Sequence, residues 1–144
     1  HKSKQYPILK LGELAKLIDA NFYVVWGSQR EKILAKQILE VSSNIHICNK
    51  LSIESLVAII AEMHLIIGPD TGPTHIAWAL NVPSITLFGP TPGFRNTYRT
   101  KINKIIESNS KVDPFKINKS DFSIKDIKVN AIVKIANQLL KDKE

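Results

Sequence analysis

The chain has 144 residues, of which 44% are hydrophobic, so one domain of this length buries roughly two-thirds of its unfolded surface. Its formal charge of +7 comes from dispersed lysines and suits phosphates or anionic lipid headgroups, but no motif with interleaved aromatic and base-reading residues predicts nucleic-acid binding. No apolar run approaches the ~20 residues of a membrane span and no signal peptide pattern is present, so we expect a soluble, cytoplasmic protein.

Hydrophobic spacing along the chain predicts helices and strands in alternation. The predicted helices are Leu9–Asp19, Glu31–Glu40, Ser52–Ala61 with Ser52 as cap, Pro73–Leu80 and Ser123–Leu140. The predicted strands are Phe22–Trp26, Asn44–Cys48, Leu65–Gly68, Ser84–Phe88 and Lys101–Glu107. This order predicts an α/β fold in a single domain, 1–144, with an open, mostly parallel Rossmann-like sheet and helices on both faces. The single cysteine, Cys48, allows no internal disulfide and is expected to be a small buried residue.

A turn rich in glycine and proline joins the strand Leu65–Gly68 to the next helix. Asp70 and Thr71 are natural helix caps, and Pro73 suits the first helical position, where a missing N–H costs nothing. Gly72 lets the backbone bend tightly and come close to a ligand. The turn therefore predicts unpaired N–H groups at the positive end of a helix dipole, which is an anion site.

The alternative interpretation of this turn is a capped helix that binds nothing. Two features favour a site: His75 lies in the first helical turn, and a second Gly-Pro turn, Gly89-Pro90, ends the next strand. In a parallel sheet the two turns lie side by side at the carboxyl ends of neighbouring strands, where open α/β sheets bind ligands.

The run Asp70-Thr71-Gly72-Pro73-Thr74-His75-Ile76-Ala77, with Pro83 and Leu87-Phe88-Gly89-Pro90-Thr91, resembles the donor-binding domain of the ADP-heptose:lipopolysaccharide heptosyltransferases. These are two-domain glycosyltransferases of the GT-B type. The resemblance covers most of the chain, from Lys4-Gln5-Tyr6-Pro7 to the closing helix, and corresponds to the C-terminal half of such an enzyme. The N-terminal half is expected to be absent from this sequence.

The resemblance implies transfer of heptose from ADP-heptose, with inversion, to the inner core of the lipid A-core acceptor. The acceptor contacts and the general base, an aspartate, are then expected in the missing N-terminal half, and no catalytic residue in this half. This half alone is expected to bind the donor and to transfer nothing. No cofactor or metal is implied, and contact with the membrane is expected to be peripheral, at the cytoplasmic face of the inner membrane.

The resemblance also implies roles for three residues that lie apart from the turn. Lys4 meets the donor diphosphate, since a mobile point charge can follow phosphate oxygens. Its alternative is a solvated lysine near a terminus. Glu31 takes the ribose hydroxyls, although an acid in a first helical turn also complements the helix dipole. Leu51 contacts the adenine, or it is a plain core leucine.

Within the turn, the leaving diphosphate is expected to be held by the N–H groups of Thr71 and Gly72, the Thr71 hydroxyl and the Lys4 ammonium. Such groups stabilise the charge that builds on the departing phosphate best when they are already fixed in place. His75 is expected to add a further donor. Asp70 repels a phosphate at short range, so it is assigned to capping the turn or to a sugar hydroxyl.

The long loop Gly89–Thr100 carries Arg95 and Arg99, each of which is either a phosphate ligand or a surface arginine. Three other functions stay open from the sequence alone. They are the donor half of another GT-B enzyme using a UDP- or CMP-sugar, half of a nucleotide-sugar epimerase, and a non-enzymatic nucleotide-binding module.

Overall fold

A computed structural model of the chain describes residues 5–89, 100–108 and 123–142. The helices in these ranges are α1 (Ile8–Leu17), α2 (Gln29–Lys36), α3 (Ile53–Glu62), α4 (Gly72–Ala79) and α5 (Val129–Asp142). The strands are β1 (Phe22–Val24), β2 (Ile45–Ile47), β3 (Ile66–Pro69), β4 (Ser84–Phe88) and β5 (Asn103–Glu107). None of these helices is long and apolar enough to cross a membrane.

The strands pair in parallel throughout the described part of the chain, which confirms the predicted α/β class. They form two hydrogen-bonded sheets, one of β1 and β2 and the other in the order β3-β4-β5. The prediction of a single sheet is therefore wrong for these residues. Alternating helices and strands predict parallel pairing, but which strands become neighbours depends on long-range contacts that periodicity does not report.

Helices cover both faces of the three-stranded sheet, as predicted. Since side chains alternate along a strand, neighbouring residues of β3 enter different cores. Ile67 packs into the core formed by α1 and α5, together with Ile85 and Leu87 of β4. Ile66 packs into the second core, which α3 and α4 build around Ile60 and Ala77.

The two-stranded sheet packs one face into a third core. Phe22 and Val24 of β1 pack with α1 and the segment after α2, around the buried Ile45. On the other face Tyr23 stacks on His46 with ring centroids 5.2 Å apart, and both residues are exposed. Tyr23 and His46 thus form an exposed aromatic pair on this face.

The predicted closing helix is divided in the structure. Residues Ser123–Asp126 form a 3-10 turn, and α5 begins only at Val129. Between them the Tyr6 hydroxyl donates to the Ile127 carbonyl at 2.5 Å, and the Lys10 ammonium donates to the Lys125 carbonyl. These carbonyls bond to side chains of the distant N-terminal segment, where a continuous helix would direct them to its own N–H groups.

Smaller differences concern the ends of elements. The predicted helix Glu31–Glu40 ends as an α-helix at Lys36, because the following N–H groups bond to carbonyls three residues back, as in Ile38 to Ala35 and Leu39 to Lys36. The strand Ser84–Phe88 is confirmed at both ends, and the Ser52 cap is confirmed by its hydroxyl, which accepts from Ser55 N–H at 3.1 Å.

Candidate functional site

The sequence-predicted site residues follow the carboxyl ends of three strands. Glu31 lies in the first turn of the helix after β1, Leu51 follows β2, and the turn Asp70–His75 follows β3. The structure therefore brings the residues of the turn together, while Glu31 and Leu51 follow strands of the other sheet. Lys4 lies outside the described residues. So do Arg95 and Arg99.

The turn after β3 is held by a residue that the sequence interpretation left out of the site. Thr74, which is 0% exposed, places its Oγ1 atom 3.0 Å from the Pro69 carbonyl oxygen and 2.9 Å from that of Thr71. The Thr74 Oγ1 atom also accepts a hydrogen bond from the Thr71 N–H at 3.3 Å. The prediction that the Thr71 N–H is an open donor is therefore wrong, because a protein oxygen already accepts from it.

The signal for Thr74 was present in the spacing of the motif. A polar residue three positions after an N-cap often accepts a hydrogen bond from the N–H of that cap. Glutamate and glutamine are the usual residues there, and Thr74 does the same with a hydroxyl.

Gly72 is exposed and begins α4. No described glycine has a positive φ, so Gly72 does not provide the special backbone conformation expected of it. A Cβ built at Gly72 meets no atom within 4 Å, so the position offers open space in front of the helix. No described residue accepts a hydrogen bond from the Gly72 N–H. This amide lies at the positive end of the α4 dipole and is open to a ligand.

The side chains of Asp70 and His75 meet across the same turn. His75 Nε2 lies 2.6 Å from Asp70 Oδ1. The His75 ring also packs against Trp78, with ring centroids 4.4 Å apart. The imidazole is therefore fixed from two sides, while half of its side chain stays exposed. Asp70 is thus the partner of His75 in the structure.

Glu31 closes the turn between β1 and α2. Its Oε2 atom accepts the Gly27 N–H at 2.6 Å, and its own N–H donates to the Ser28 hydroxyl at 3.2 Å. The sequence analysis weighed a ribose contact against complementation of the helix dipole, and the structure adds this contact with the backbone. One carboxylate oxygen takes part in it, and a carboxylate has two.

Leu51 is partly buried between β2 and α3.

A cavity of about 360 Å³ lies elsewhere, beyond the end of β5 and beside the start of α5, where its lining includes Glu107, Ser108, Asp126 and Lys128. None of the predicted site residues lines it. The turn Asp70–His75 is instead on open surface, with Thr71, Gly72 and His75 all exposed.

Comparison with known families adds to this geometry. The family model described as glycosyltransferase family 9 (heptosyltransferase) matches residues 1–122. The chain belongs to this family. The matched range contains every site residue that the sequence predicts, from Lys4 to His75.

Curated relatives carry the same description. The chain is 43% identical to lipopolysaccharide heptosyltransferase 1 of Campylobacter coli, covering 98% of this chain and 44% of that protein. It is 34% identical to lipopolysaccharide heptosyltransferase 1 of Salmonella typhimurium, over 66% of this chain and 31% of that one. The chain thus spans less than half the length of these relatives.

Solved structures share the fold. The heptosyltransferase WaaC of Escherichia coli, solved with ADP, has a TM-score of 0.81 and 22% identity, covering 96% of this chain and 41% of that one. A family 9 glycosyltransferase from Veillonella parvula has a TM-score of 0.82 and 18% identity, covering 99% of this chain and 43% of that one. Both likenesses concern the fold.

Proposed function

We propose that this chain is the donor-binding domain of a lipopolysaccharide heptosyltransferase, and that it binds ADP-heptose through the turn Asp70–His75. The single observation that carries the proposal is the open amide of Gly72 at the start of α4. It combines an N–H that no described residue accepts, the positive end of a helix dipole and space for an incoming group, which together suit a phosphate.

The relatives support the choice of ligand. Curated proteins 34–43% identical to this chain are named lipopolysaccharide heptosyltransferases. The structure of WaaC was solved with ADP, and another with ADP-2-deoxy-2-fluoro heptose. In this chain the diphosphate would lie against Gly72 N–H, with the Thr71 hydroxyl and His75 beside it. The exposed Thr71 hydroxyl lies 3.4 Å from the Pro69 carbonyl oxygen and also forms a capping box with the backbone of Thr74.

The proposed reaction is displacement at the anomeric carbon of the heptose. A hydroxyl of the lipid A-core acceptor forms the new C–O bond, the bond to the β-phosphate breaks, and ADP leaves. Negative charge builds on that phosphate in the transition state, so fixed donors at the turn lower the barrier. The proton of the attacking hydroxyl passes to a base, which we assign to an aspartate of the other half of the enzyme.

This assignment makes residues 1–144 one half of a two-domain enzyme, acting at the cytoplasmic face of the membrane that carries the lipid acceptor. The chain alone then binds ADP without transferring heptose. Its surplus of 20 Lys and Arg over 13 Asp and Glu supports peripheral contact with a phosphorylated lipid surface. Heptose transfer by the chain alone would show that the base is assigned to the wrong half.

Calorimetry with ADP tests the site. The chain is expected to bind ADP, and Gly72→Val is expected to abolish measurable binding, since its side chain fills the space before the amide. A valine introduced at Ala58, an exposed residue of α3, is the control, and Ala58→Val is expected to leave the affinity unchanged. Equal ADP affinity in Gly72→Val and the unmodified chain would refute the site.

The identity of the nucleotide needs a separate measurement. A thermal-shift panel of ADP, UDP and CMP distinguishes this proposal from the donor half of another GT-B enzyme. We expect the largest stabilisation with ADP, because at equal concentration a ligand that binds the native state more tightly raises the melting temperature more. A larger shift with UDP or CMP would assign the chain to a different donor.

A further inference from the structure

We propose that Thr74 is the positioning residue of the donor turn: its buried hydroxyl turns the Thr71 amide inward and leaves the Gly72 amide as the one that faces the phosphate. This inference rests on the proposed function and goes beyond it. Thr74 does not touch the ligand, since its side chain is fully buried. It acts through the backbone of the turn.

Three backbone groups converge on the Thr74 hydroxyl. The carbonyl oxygens of Pro69 and Thr71 lie 3.0 and 2.9 Å from Oγ1, and the Thr71 N–H donates to it at 3.3 Å. A hydroxyl has one proton and two lone pairs, so it satisfies one carbonyl and one N–H at a time. One side chain therefore ties the end of β3 to the first turn of α4.

The methyl group of Thr74 fixes the other side of the residue. Its Cγ2 atom lies 3.5 Å from the position of a Cβ built on Gly68, so it packs over the backbone of β3. With the methyl on the strand and the hydroxyl on the turn, the Thr74 side chain has one orientation that meets both sets of contacts. The turn is thus held before any ligand arrives, which is what preorganised stabilisation of a phosphate requires.

The same protein shows why a hydroxyl suits this position. At the start of α2 the residue at the equivalent helical position is Glu31, whose carboxylate accepts a backbone N–H at 2.6 Å. In α4 a carboxylate in that place would set a negative charge beside the proposed phosphate and repel it. Thr74 accepts the Thr71 N–H without bringing a charge.

Amide hydrogen exchange measured by NMR on the unmodified chain tests the geometry without any substitution. Before ADP is added, the Thr71 amide is expected to be protected and the Gly72 amide to exchange quickly. ADP is expected to slow exchange at Gly72 and to leave Thr71 unchanged. Fast exchange at Thr71, or protection that appears at Thr71 only with ADP, would overturn the inference.

Two variants test the consequence for binding. Thr74→Val removes the hydroxyl and keeps the shape, and Thr74→Ser keeps the hydroxyl. We expect Thr74→Val to weaken ADP binding about tenfold, as for a difference of roughly 1.4 kcal/mol, and Thr74→Ser to restore it to within about threefold. Adenosine, which has no phosphate, is the control ligand, and its affinity is expected to be the same in all three proteins.

The outcomes separate this inference from the proposed function. If the unmodified chain binds no ADP, both are wrong. If it binds ADP and Thr74→Val binds ADP equally well, only the role of Thr74 is wrong. Equal losses for ADP and adenosine in Thr74→Val would indicate general damage to the fold and would also overturn the positioning role.

Discussion

His75 Nε2 lies 2.6 Å from Asp70 Oδ1, and the two side chains differ in exposure: half of His75 is open to solvent, against 7% of Asp70. The pair thus presents an imidazole at the proposed phosphate site and keeps the carboxylate out of solvent. Because an isolated carboxylate repels a phosphate, we expect the contact with His75 to help Asp70 and the proposed phosphate to occupy the same turn.

Substitution of Asp70 separates its charge from its hydrogen bond. Asp70→Asn keeps an oxygen for His75 and removes the charge, whereas Asp70→Ala removes both. We expect Asp70→Ala to weaken ADP binding about tenfold because His75 loses its partner, and Asp70→Asn to bind within about threefold of the unmodified chain. Calorimetry with ADP measures both. Equal losses in the two variants would mean that the charge itself matters, which this arrangement does not predict.

A second prediction concerns two buried hydroxyls on the same face of β4. Ser84 Oγ donates to Asn103 Oδ1 at 2.8 Å, whereas Thr86 Oγ1 has no hydrogen-bond partner among the described residues. Both residues are 0% exposed. We expect Thr86→Val to raise the free energy of unfolding by about 1 kcal/mol, because the native state no longer buries an unpaired hydroxyl.

Ser84→Ala is the matched comparison for Thr86→Val. It removes a paired hydroxyl and leaves the Asn103 oxygen without its donor, so we expect it to lower the free energy of unfolding by about 1–3 kcal/mol. Urea unfolding followed by circular dichroism measures both variants. A loss of stability in Thr86→Val would show that its hydroxyl has a partner in the native protein.

The sequence predicted most elements of the fold and the turn at the start of α4, because both depend on local patterns. Apolar spacing places a strand at Ser84–Phe88, and the glycine and proline after Leu65–Gly68 place a turn there. It did not predict that β1 and β3 belong to different sheets, because pairing between strands is decided by contacts distant in sequence.

Within the turn, the sequence predicted open N–H groups at both Thr71 and Gly72. The prediction is wrong for Thr71, whose N–H donates to the Thr74 hydroxyl. A helix start has unpaired N–H groups in general, but which of them stays open depends on the side chains packed beneath it. The contact between Asp70 and His75 could not be predicted from the sequence either, since the spacing of two polar residues five positions apart predicts no contact in a turn.

A third prediction concerns the contact between the N-terminal segment and the start of α5. Tyr6 is 5% exposed and its hydroxyl donates to the Ile127 carbonyl at 2.5 Å. Tyr6→Phe leaves that carbonyl without this donor, and we expect a loss of about 1–3 kcal/mol in the free energy of unfolding, measured with urea. Tyr23→Phe, at an exposed tyrosine, is the control, with an expected change within about 0.5 kcal/mol. Equal effects of the two substitutions would contradict the contact.

The same tyrosine predicts a dependence of stability on alkaline pH. Burial, with a smaller contribution from the charge of Glu13, raises the pKa of Tyr6 from 10.0 to about 12. Between these values the unfolded chain has lost the proton and the native protein keeps it, so stability falls as pH rises from 10.0 towards about 12. Below pH 10.0 the contribution of protonated Tyr6 to the free energy of unfolding is fully present. Over this pH range the free energy of unfolding, measured with urea, is expected to fall less in Tyr6→Phe than in the unmodified chain. An identical fall in both proteins would rule Tyr6 out as the cause.

The last prediction decides between the two roles of Glu31. Its Oε2 atom closes the turn onto Gly27 N–H, and the remaining carboxylate oxygen suits a ribose hydroxyl. If Glu31 holds the ribose, the unmodified chain binds ADP more tightly than 2′-deoxy-ADP, by about tenfold for a charged hydrogen bond, and Glu31→Gln removes most of that preference. If Glu31 only closes the turn, Glu31→Gln lowers the melting temperature and leaves the ratio of the two affinities unchanged. We expect the first result, because a carboxylate that already bonds to the backbone is held in place for a ligand, and calorimetry with both nucleotides measures the ratio directly.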